Sequence, residues 1–331
     1  MTDKPRVWIS RPTFPDIIAR LEPYFEVTAE PEEVKFSRSE LAARLAGQDA
    51  AIVGLKERIG AAEIAEAPRL RIVANLSVGY DNLDLDALSA AGVAASNTAD
   101  VLNESVADYA WALMLGVARR MSAAERWLRA GHWQATEFKA WLGLDVRGRT
   151  LGILGMGRIG QAIARRATGF GMPVLYHNRS SLPEADERAC NARYVDKPQL
   201  LRESDFLMLV LPLTTQTRHT IGAPELALMK PTAILLNVAR GGIVDDAALA
   251  VALRERRLAG AGLDVFEGEP AVHPGLLALD NVVLSPHIAS ASHETRRAMT
   301  ALAVENVLAL FGHGPHAGRP PTILNPNVLA Q

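Results

Sequence analysis

Cysteine is nearly absent from this chain: Cys190 is the single one among 331 residues. That excludes a disulfide framework and a cysteine metal cluster. Cys190 lies in the polar stretch Glu187-Arg188-Ala189-Cys190-Asn191, without a catalytic signature around it, and reads as an inert thiol. A dominant charge is missing as well. The net charge of -2 gives no general pull toward nucleic acid or acidic membranes, so neither is expected as a partner. No uncharged apolar run approaches the ~20 residues needed to span a bilayer. The best candidate, Val101 to Arg120, is interrupted by Glu104 and Asp108. The opening MTDKPRVWIS lacks the apolar core of a signal peptide, so the expected location is the cytoplasm. Metal spacing such as HExxH and the GxSxG nucleophile elbow are both missing, and no metal is expected.

What is present is organised around Arg149 to Ser180, RTLGILGMGRIGQAIARRATGFGMPVLYHNRS. Thr150 to Leu154 is an almost uniformly apolar run, as in a strand covered on both faces. Gly155, Gly157 and Gly160 follow at GxGxxG spacing with Met156, Arg158 and Ile159 between them, then an amphipathic helix, the break Gly171-Met172-Pro173 and the strand Val174-Leu175-Tyr176. Such a βαβ unit lets a pyrophosphate approach the backbone at a helix N-terminus. An NAD-specific unit places Asp or Glu about 20 residues after the first glycine to accept from the ribose 2′-OH. Here the second strand ends His177-Asn178-Arg179-Ser180, with no acid before Glu184. Arg179 supplies a fork suited to phosphate and Ser180 a hydroxyl beside it, so NADPH is expected over NADH.

The chain is long enough for two domains with sizeable cores. Strands alternate with helices from Arg6 to Ala95, which argues for a parallel α/β unit of its own. A long, mostly apolar helix is expected from 103 to 129, buried in a large core or against another subunit. Further strands are expected at Phe206 to Leu211, Ala233 to Val238, Ala261 to Val265 and Val282 to Ser285, a helix at Glu294 to Phe311, and a Pro/Gly-rich tail from Gly312.

In doubly wound sheets, ligands bind beyond the carboxyl ends of strands. Those ends carry Arg240, Asp264, Glu269 and His287. Hydride delivered to a ketone carbon leaves an alkoxide that needs a proton, and an imidazole is its natural donor. A carboxylate beside the imidazole favours its charged form and orients it. An arginine fork clamps a substrate carboxylate and polarises the adjoining carbonyl. His287, Glu269 and Arg240 supply those roles. Singly, they fit a core histidine, a turn acid and a surface ion pair; together at strand ends of a dinucleotide domain they point to catalysis.

The motifs Ser77-Val78-Gly79-Tyr80-Asp81-Asn82, Gly155 to Gly160, Leu211-Pro212-Leu213-Thr214, Asn237-Val238-Ala239-Arg240-Gly241-Gly242, Leu263-Asp264-Val265-Phe266-Glu267-Gly268-Glu269-Pro270 and Pro286-His287-Ile288-Ala289-Ser290 extend over essentially the whole chain. In them the chain resembles the D-isomer-specific 2-hydroxyacid dehydrogenases. The resemblance implies a flavodoxin-like substrate domain, residues 1–100 with 291–331, and a Rossmann dinucleotide domain, 101–290, both with parallel sheets. It implies Arg240, Glu269 and His287 as catalytic residues and backbone N–H groups of Val78 and Gly79 toward the substrate carboxylate. It also places Asp264 at the nicotinamide carboxamide, Ala239 near the same ring, and Leu211, Pro212, Thr217, Val238, Asn178 and Ala289 along the cofactor. Lys56, Ser290 and Trp141 are expected near the substrate, Trp141 either reaching a partner's site or anchoring a dimer interface. A homodimer built on helix 103–129 is implied.

Within the family, Arg158-Ile159-Gly160-Gln161, Tyr176-His177-Asn178-Arg179, Arg218-His219 and Ser290-Ala291-Ser292-His293-Glu294-Thr295-Arg296 are most similar to glyoxylate/hydroxypyruvate and 2-ketogluconate reductases. The implied activity is NADPH-dependent reduction of a small 2-oxo acid. Two alternatives stand beside it: an NAD-linked D-lactate or hydroxyphenylpyruvate type dehydrogenase, which shares the catalytic residues, and a non-catalytic dinucleotide-sensing protein, which the intact trio disfavours.

Overall fold

A computed structural model describes residues 4–330. They form two compact units, Met1–Leu102 with Ala291–Gln331, and Asn103–Ser290.

The first unit is built on five parallel strands, β1 (Arg6–Ile9), β2 (Glu26–Ala29), β3 (Ala50–Val53), β4 (Ile72–Asn75) and β5 (Ala94–Ser96), in the order β2-β1-β3-β4-β5. This is the flavodoxin-like order. β3 and β4 are buried at every position, as strands with both faces covered must be. Alternation divides their side chains between two cores. Val7, Ile9, Ile52 and Ile72 pack with Val304 and Val307 of the helix His293–Leu310, while Trp8, Val53 and Val73 pack with Leu41, Leu45 and Leu88 on the other face. The helix Arg38–Leu45 starts at a capping box, with the Ser37 side chain accepting from the Glu40 N–H and Glu40 accepting from the Ser37 N–H.

The stretch after Gly312, expected as a tail, is tied into this unit. Ile323 bridges to Ser96, and Asn325, nearly buried, accepts from the Ala95 N–H at 2.7 Å and donates to the Val93 carbonyl at 2.9 Å. These polar ties extend the sheet edge, and no hydrophobic period announces them.

The second unit holds seven parallel strands: β6 (Leu151–Leu154), β7 (Val174–His177), β8 (Ala192–Tyr194), β9 (Phe206–Leu209), β10 (Ile234–Asn237), β11 (Gly260–Leu263) and β12 (Val282–Leu284). Their order is β12-β11-β10-β9-β6-β7-β8. The chain runs outward from β6 through β8, returns to β9 beside β6, and then runs outward the other way. The switch point therefore lies between β6 and β9, the Rossmann arrangement.

The expected helix 103–129 is two helices, Asn103–Ala118 and Met121–Arg129. Arg120 between them adopts the left-handed conformation at φ 54°. The first helix is buried along Val106, Ala110, Leu113, Met114 and Val117, and Trp111 donates to the Ile163 carbonyl at 3.1 Å. The second helix buries none of its residues. Packing on the sheet ends at Ala118, and the direction changes there without glycine or proline.

Candidate active site

The glycine loop leaves β6 with three glycines in three different settings. Gly155 turns at φ +104°, and a Cβ there would lie 2.5 Å from the Val210 carbonyl oxygen at the end of β9. A Cβ on Gly160 would lie 2.4 Å from the Gly155 carbonyl oxygen, so close packing of helix Arg158–Ala167 on the loop requires glycine. A Cβ on Gly157 would meet nothing within 4 Å. Protein packing thus makes no demand on Gly157, which stands at the N-cap of the helix with no side-chain hydrogen bond to its first turn. That fits a pyrophosphate lying against the loop.

On the other side of the switch point, the end of β7 carries the expected adenosine-ribose turn. Asn178 turns its side chain back, its Oδ1 accepting from the Met156 N–H at 2.7 Å, and so shapes the glycine loop. Arg179 and Ser180 are exposed, and neither makes a hydrogen bond or ion pair among the described residues. Beyond β9, the Thr217 hydroxyl donates to the Pro212 carbonyl and accepts from the Thr214 N–H, each at 2.7 Å, closing that loop on itself.

Three adjacent strand ends bring the catalytic candidates together. After β10, the nearly buried Asn237 donates to the Arg240 carbonyl and accepts from the Ala239 N–H, each at 3.1 Å, and folds the Val238–Gly241 turn around itself. A Cβ on Gly241 would lie 1.7 Å from the Phe266 carbonyl oxygen, so the Arg240 turn sits directly on the backbone that follows β11. There the Phe266 N–H donates to Glu269 Oε1 at 2.9 Å, while Glu269 Oε2 lies 2.9 Å from His287 Nδ1, past the end of β12. A carboxylate only accepts, so Nδ1 carries a proton and Nε2 remains for chemistry. Burial raises the Glu269 carboxyl, but the His287 hydrogen bond and charge, the Phe266 N–H and the Arg240 charge outweigh it and hold Glu269 below the ordinary range.

Asp264 is fully buried. Its Oδ1 accepts from the Ser285 hydroxyl at 2.6 Å and the Ile288 N–H at 2.9 Å, and its Oδ2 from the Ala289 N–H at 2.8 Å. His287 itself sits at φ +56°, with its N–H on the Asp264 carbonyl at 2.8 Å. Asp264 is thus the anchor of the turn that presents the imidazole, a role its place in the motif does not reveal. Ala289 is buried in that turn and Ser290 half-buried after it.

Arg218 and His219 belong to the same neighbourhood. His219 Nε2 lies 2.8 Å from Glu267 Oε2, Arg218 pairs with the same carboxylate, and the Glu267 N–H donates to Asp246 at 2.9 Å. These contacts fasten the loop after β9 to the segment carrying Glu269. Trp141, at φ 58°, packs on Trp127 of its own chain, 5.4 Å between ring centroids, under the Arg120 guanidinium.

The first unit has a strand-end site of its own. The Val78 and Gly79 carbonyls accept from Asn97 and Asn75 side chains, each at 2.9 Å, while their N–H groups make no hydrogen bond among the described residues. A pair of oriented free amides of this kind attracts an anion. Beside it, buried Asn82 donates to the Gly54 and Glu57 carbonyls at 3.0 Å, and Glu57 accepts from Ser10, Arg11 and the Gly54 N–H. These contacts shape the loop of Lys56, whose Nζ is exposed and 3.5 Å from Glu33. Sequence reasoning named Lys56, Val78 and Gly79 but not the asparagines. Asn82 stands in the same Ser77 to Asn82 motif and was within reach of that reading.

A Rossmann sheet with this glycine loop, and a carboxylate-bound histidine beside an arginine at its strand ends, defines a nicotinamide-dinucleotide oxidoreductase acting on CH–OH groups. The model of the D-isomer specific 2-hydroxyacid dehydrogenase NAD binding domain matches residues 111–289. The chain belongs to that family, and as a D-2-hydroxyacid dehydrogenase it works on the 2-oxo acid/2-hydroxy acid pair. It is 49% identical to a glyoxylate reductase of Thermococcus onnurineus, across 98% of this chain and 97% of that one. A glyoxylate reductase of Pyrococcus furiosus is 46% identical over the same shares. Among solved structures, an NADPH-dependent glyoxylate/hydroxypyruvate reductase from Sinorhizobium meliloti, in complex with NADP and malonate, is 36% identical with a TM-score of 0.86, covering 97% of each chain.

Proposed function

We propose that this enzyme is a cytoplasmic, NADPH-dependent reductase of small 2-oxo acids, glyoxylate first, with hydroxypyruvate and 2-ketogluconate as further candidates. The observation that carries the cofactor choice is the turn after β7: an exposed, unpartnered Arg179 beside Ser180, with no acid to accept from a ribose diol or repel a 2′-phosphate. The glyoxylate reductases among its relatives and the NADP complex of the Sinorhizobium meliloti enzyme support the reading.

The cofactor, when bound, supplies the hydride. The Gly155–Gly160 loop and the first turn of its helix would hold the pyrophosphate, and Arg179 and Ser180 would bind the 2′-phosphate. Arg240 binds the substrate carboxylate and polarises the carbonyl oxygen. In the first unit, Val78 and Gly79 offer their N–H groups to a carboxylate of the substrate, and Lys56 and Ser290 are assigned to substrate binding. His287 delivers the proton from Nε2 to the developing alkoxide, and Glu269 stabilises its charged form and fixes its orientation. Asp264 holds the turn on which His287 stands.

Steady-state reduction of a 2-oxo acid panel with each cofactor tests the proposal. Glyoxylate or hydroxypyruvate is expected at the highest kcat/KM, with NADPH well above NADH. Equal kcat/KM for the two cofactors would overturn the cofactor choice, and best turnover of pyruvate or an aromatic 2-oxo acid with NADH would establish the NAD-linked type instead.

A further inference from the structure

The turn that carries Arg179 and Ser180 is fastened from behind by groups the reaction does not use. Tyr176, fully buried near the end of β7, donates its hydroxyl to Glu187 Oε1 at 2.7 Å and accepts the Leu182 N–H at 2.6 Å. A carboxylate cannot donate, so the single phenol proton is committed to Glu187 and a lone pair is aimed at Leu182. Burial, with the Glu187 bond, pushes the hydroxyl up to about 12, so it keeps that proton through the neutral range. On the neighbouring strand β8, Tyr194 packs edge-on against Tyr176 at 5.5 Å, and its hydroxyl donates to the Asn178 carbonyl at 3.3 Å. His177 Nδ1 lies 2.9 Å from the Val195 carbonyl, and the Asn178 side chain is bound to Met156.

Both ends of the turn are therefore tied, Asn178 by Tyr194 and the glycine loop, Leu182 by Tyr176. The residues between, Arg179, Ser180 and Ser181, are exposed and make no hydrogen bonds among the described residues. A ring needed only to fill the core would have no use for a hydroxyl bonded on both sides. Leaving the Leu182 amide without an acceptor would free the far end of the turn.

We propose that Tyr176, backed by Glu187 and Tyr194, is a positioning residue for cofactor selectivity: it holds the 178–182 turn in the shape that presents Arg179 and Ser180 to a 2′-phosphate. This rests on the reading of Arg179 and Ser180 as the phosphate site.

The test uses the full-length enzyme with saturating glyoxylate, comparing kcat and KM for NADPH and NADH, together with the Kd of adenosine 2′,5′-bisphosphate. Tyr176→Phe is expected to lower the NADPH-to-NADH ratio of kcat/KM about three- to tenfold. The change should lie in KM for NADPH, with kcat nearly constant, NADH little affected and the bisphosphate bound more weakly. Glu187→Gln, which keeps an acceptor for the hydroxyl, should retain the parent ratio. If Tyr176→Phe does not fold, Glu187→Ala leaves the ring in the core and the Leu182 bond possible but removes the acceptor that orients the hydroxyl, and a smaller loss of ratio in the same direction is expected. A parent that prefers NADPH with a Tyr176→Phe variant of unchanged ratio, or one that loses both cofactors equally, overturns the positioning role alone. A parent without the preference overturns the phosphate reading and the positioning role with it.

Discussion

His287 is a non-glycine residue at φ +56°, a conformation L side chains rarely adopt. It is held there by its N–H on Asp264 and by the Asp264 carboxylate, which ties down the next two amides. Strain of this kind persists only where the surroundings over-determine it. Asp264→Asn, with one carboxylate oxygen replaced by a donor, is therefore expected to lower kcat more than it raises KM for cofactor, with the enzyme still folded; pre-steady-state and steady-state rates check the split. Glu269→Gln removes the anion beside Nδ1, so activity should move toward lower pH. A pH–rate profile that does not move would count against the pairing. Arg240, Glu269 and His287 could be singled out from sequence as candidates because each follows a strand and carries a side chain suited to one role. Asp264 as an anchor, and Asn75, Asn97 and Asn237 as braces, were not: a polar residue's partners depend on which distant loop the fold sets beside it.

At the scale of elements, the βαβ unit was readable throughout, because the period, the glycine spacing and the break at Gly171 agree. The glycines separate structure from ligand. Gly160→Ala drives a Cβ into a carbonyl and should destabilise the fold by about 1–3 kcal/mol. Gly157→Ala meets open space, so thermal denaturation should change little, under about 1 kcal/mol for an altered cap, while KM for cofactor rises sharply. Equal effects of the two on Tm would contradict the assignment of Gly157 to the ligand. Other elements gave poor signals. The strand Ala192–Tyr194 is short, lies at the sheet edge and exposes Arg193 in its middle, so it has neither length nor alternation. The break at Arg120 lies between two helix-forming stretches and is set by where packing on the sheet ends. In the first unit the cap of helix Arg38–Leu45 was legible from Ser37 and Glu40; Ser37→Ala should cost about 1 kcal/mol in chemical denaturation.

For the whole molecule, both parallel sheets and their strand-end sites follow from alternating strands and helices, but oligomeric state does not. Met121, Leu128, Trp133, Phe138 and Leu142 leave a run of exposed apolar side chains along the second helix and the loop after it, with Phe138 95% exposed. We propose that this segment, in place of one continuous helix 103–129, carries the homodimer interface, with Trp141 as its anchor on Trp127. Sedimentation equilibrium should give a dimer that Phe138→Glu weakens; a monomeric parent would refute this. Acid should destabilise the dinucleotide unit through Asp205, whose carboxyl burial raises but Lys230, the Thr150 N–H and Arg149 bring below the ordinary range. A depressed carboxyl stabilises above its unfolded pKa and loses that contribution as pH falls through the folded value, so Tm should drop below about pH 4, and less so in Asp205→Asn.

The role proposed for His287, protonating the carbonyl oxygen as hydride arrives, is separate from cofactor binding, which other residues provide. Glyoxylate reduction by His287→Ala, measured alongside cofactor affinity, tests it most directly. A fall in kcat of about 10²–10⁴-fold is predicted, with the Kd for NADPH unchanged. An unchanged kcat, or a loss of activity explained by lost cofactor binding, would contradict it.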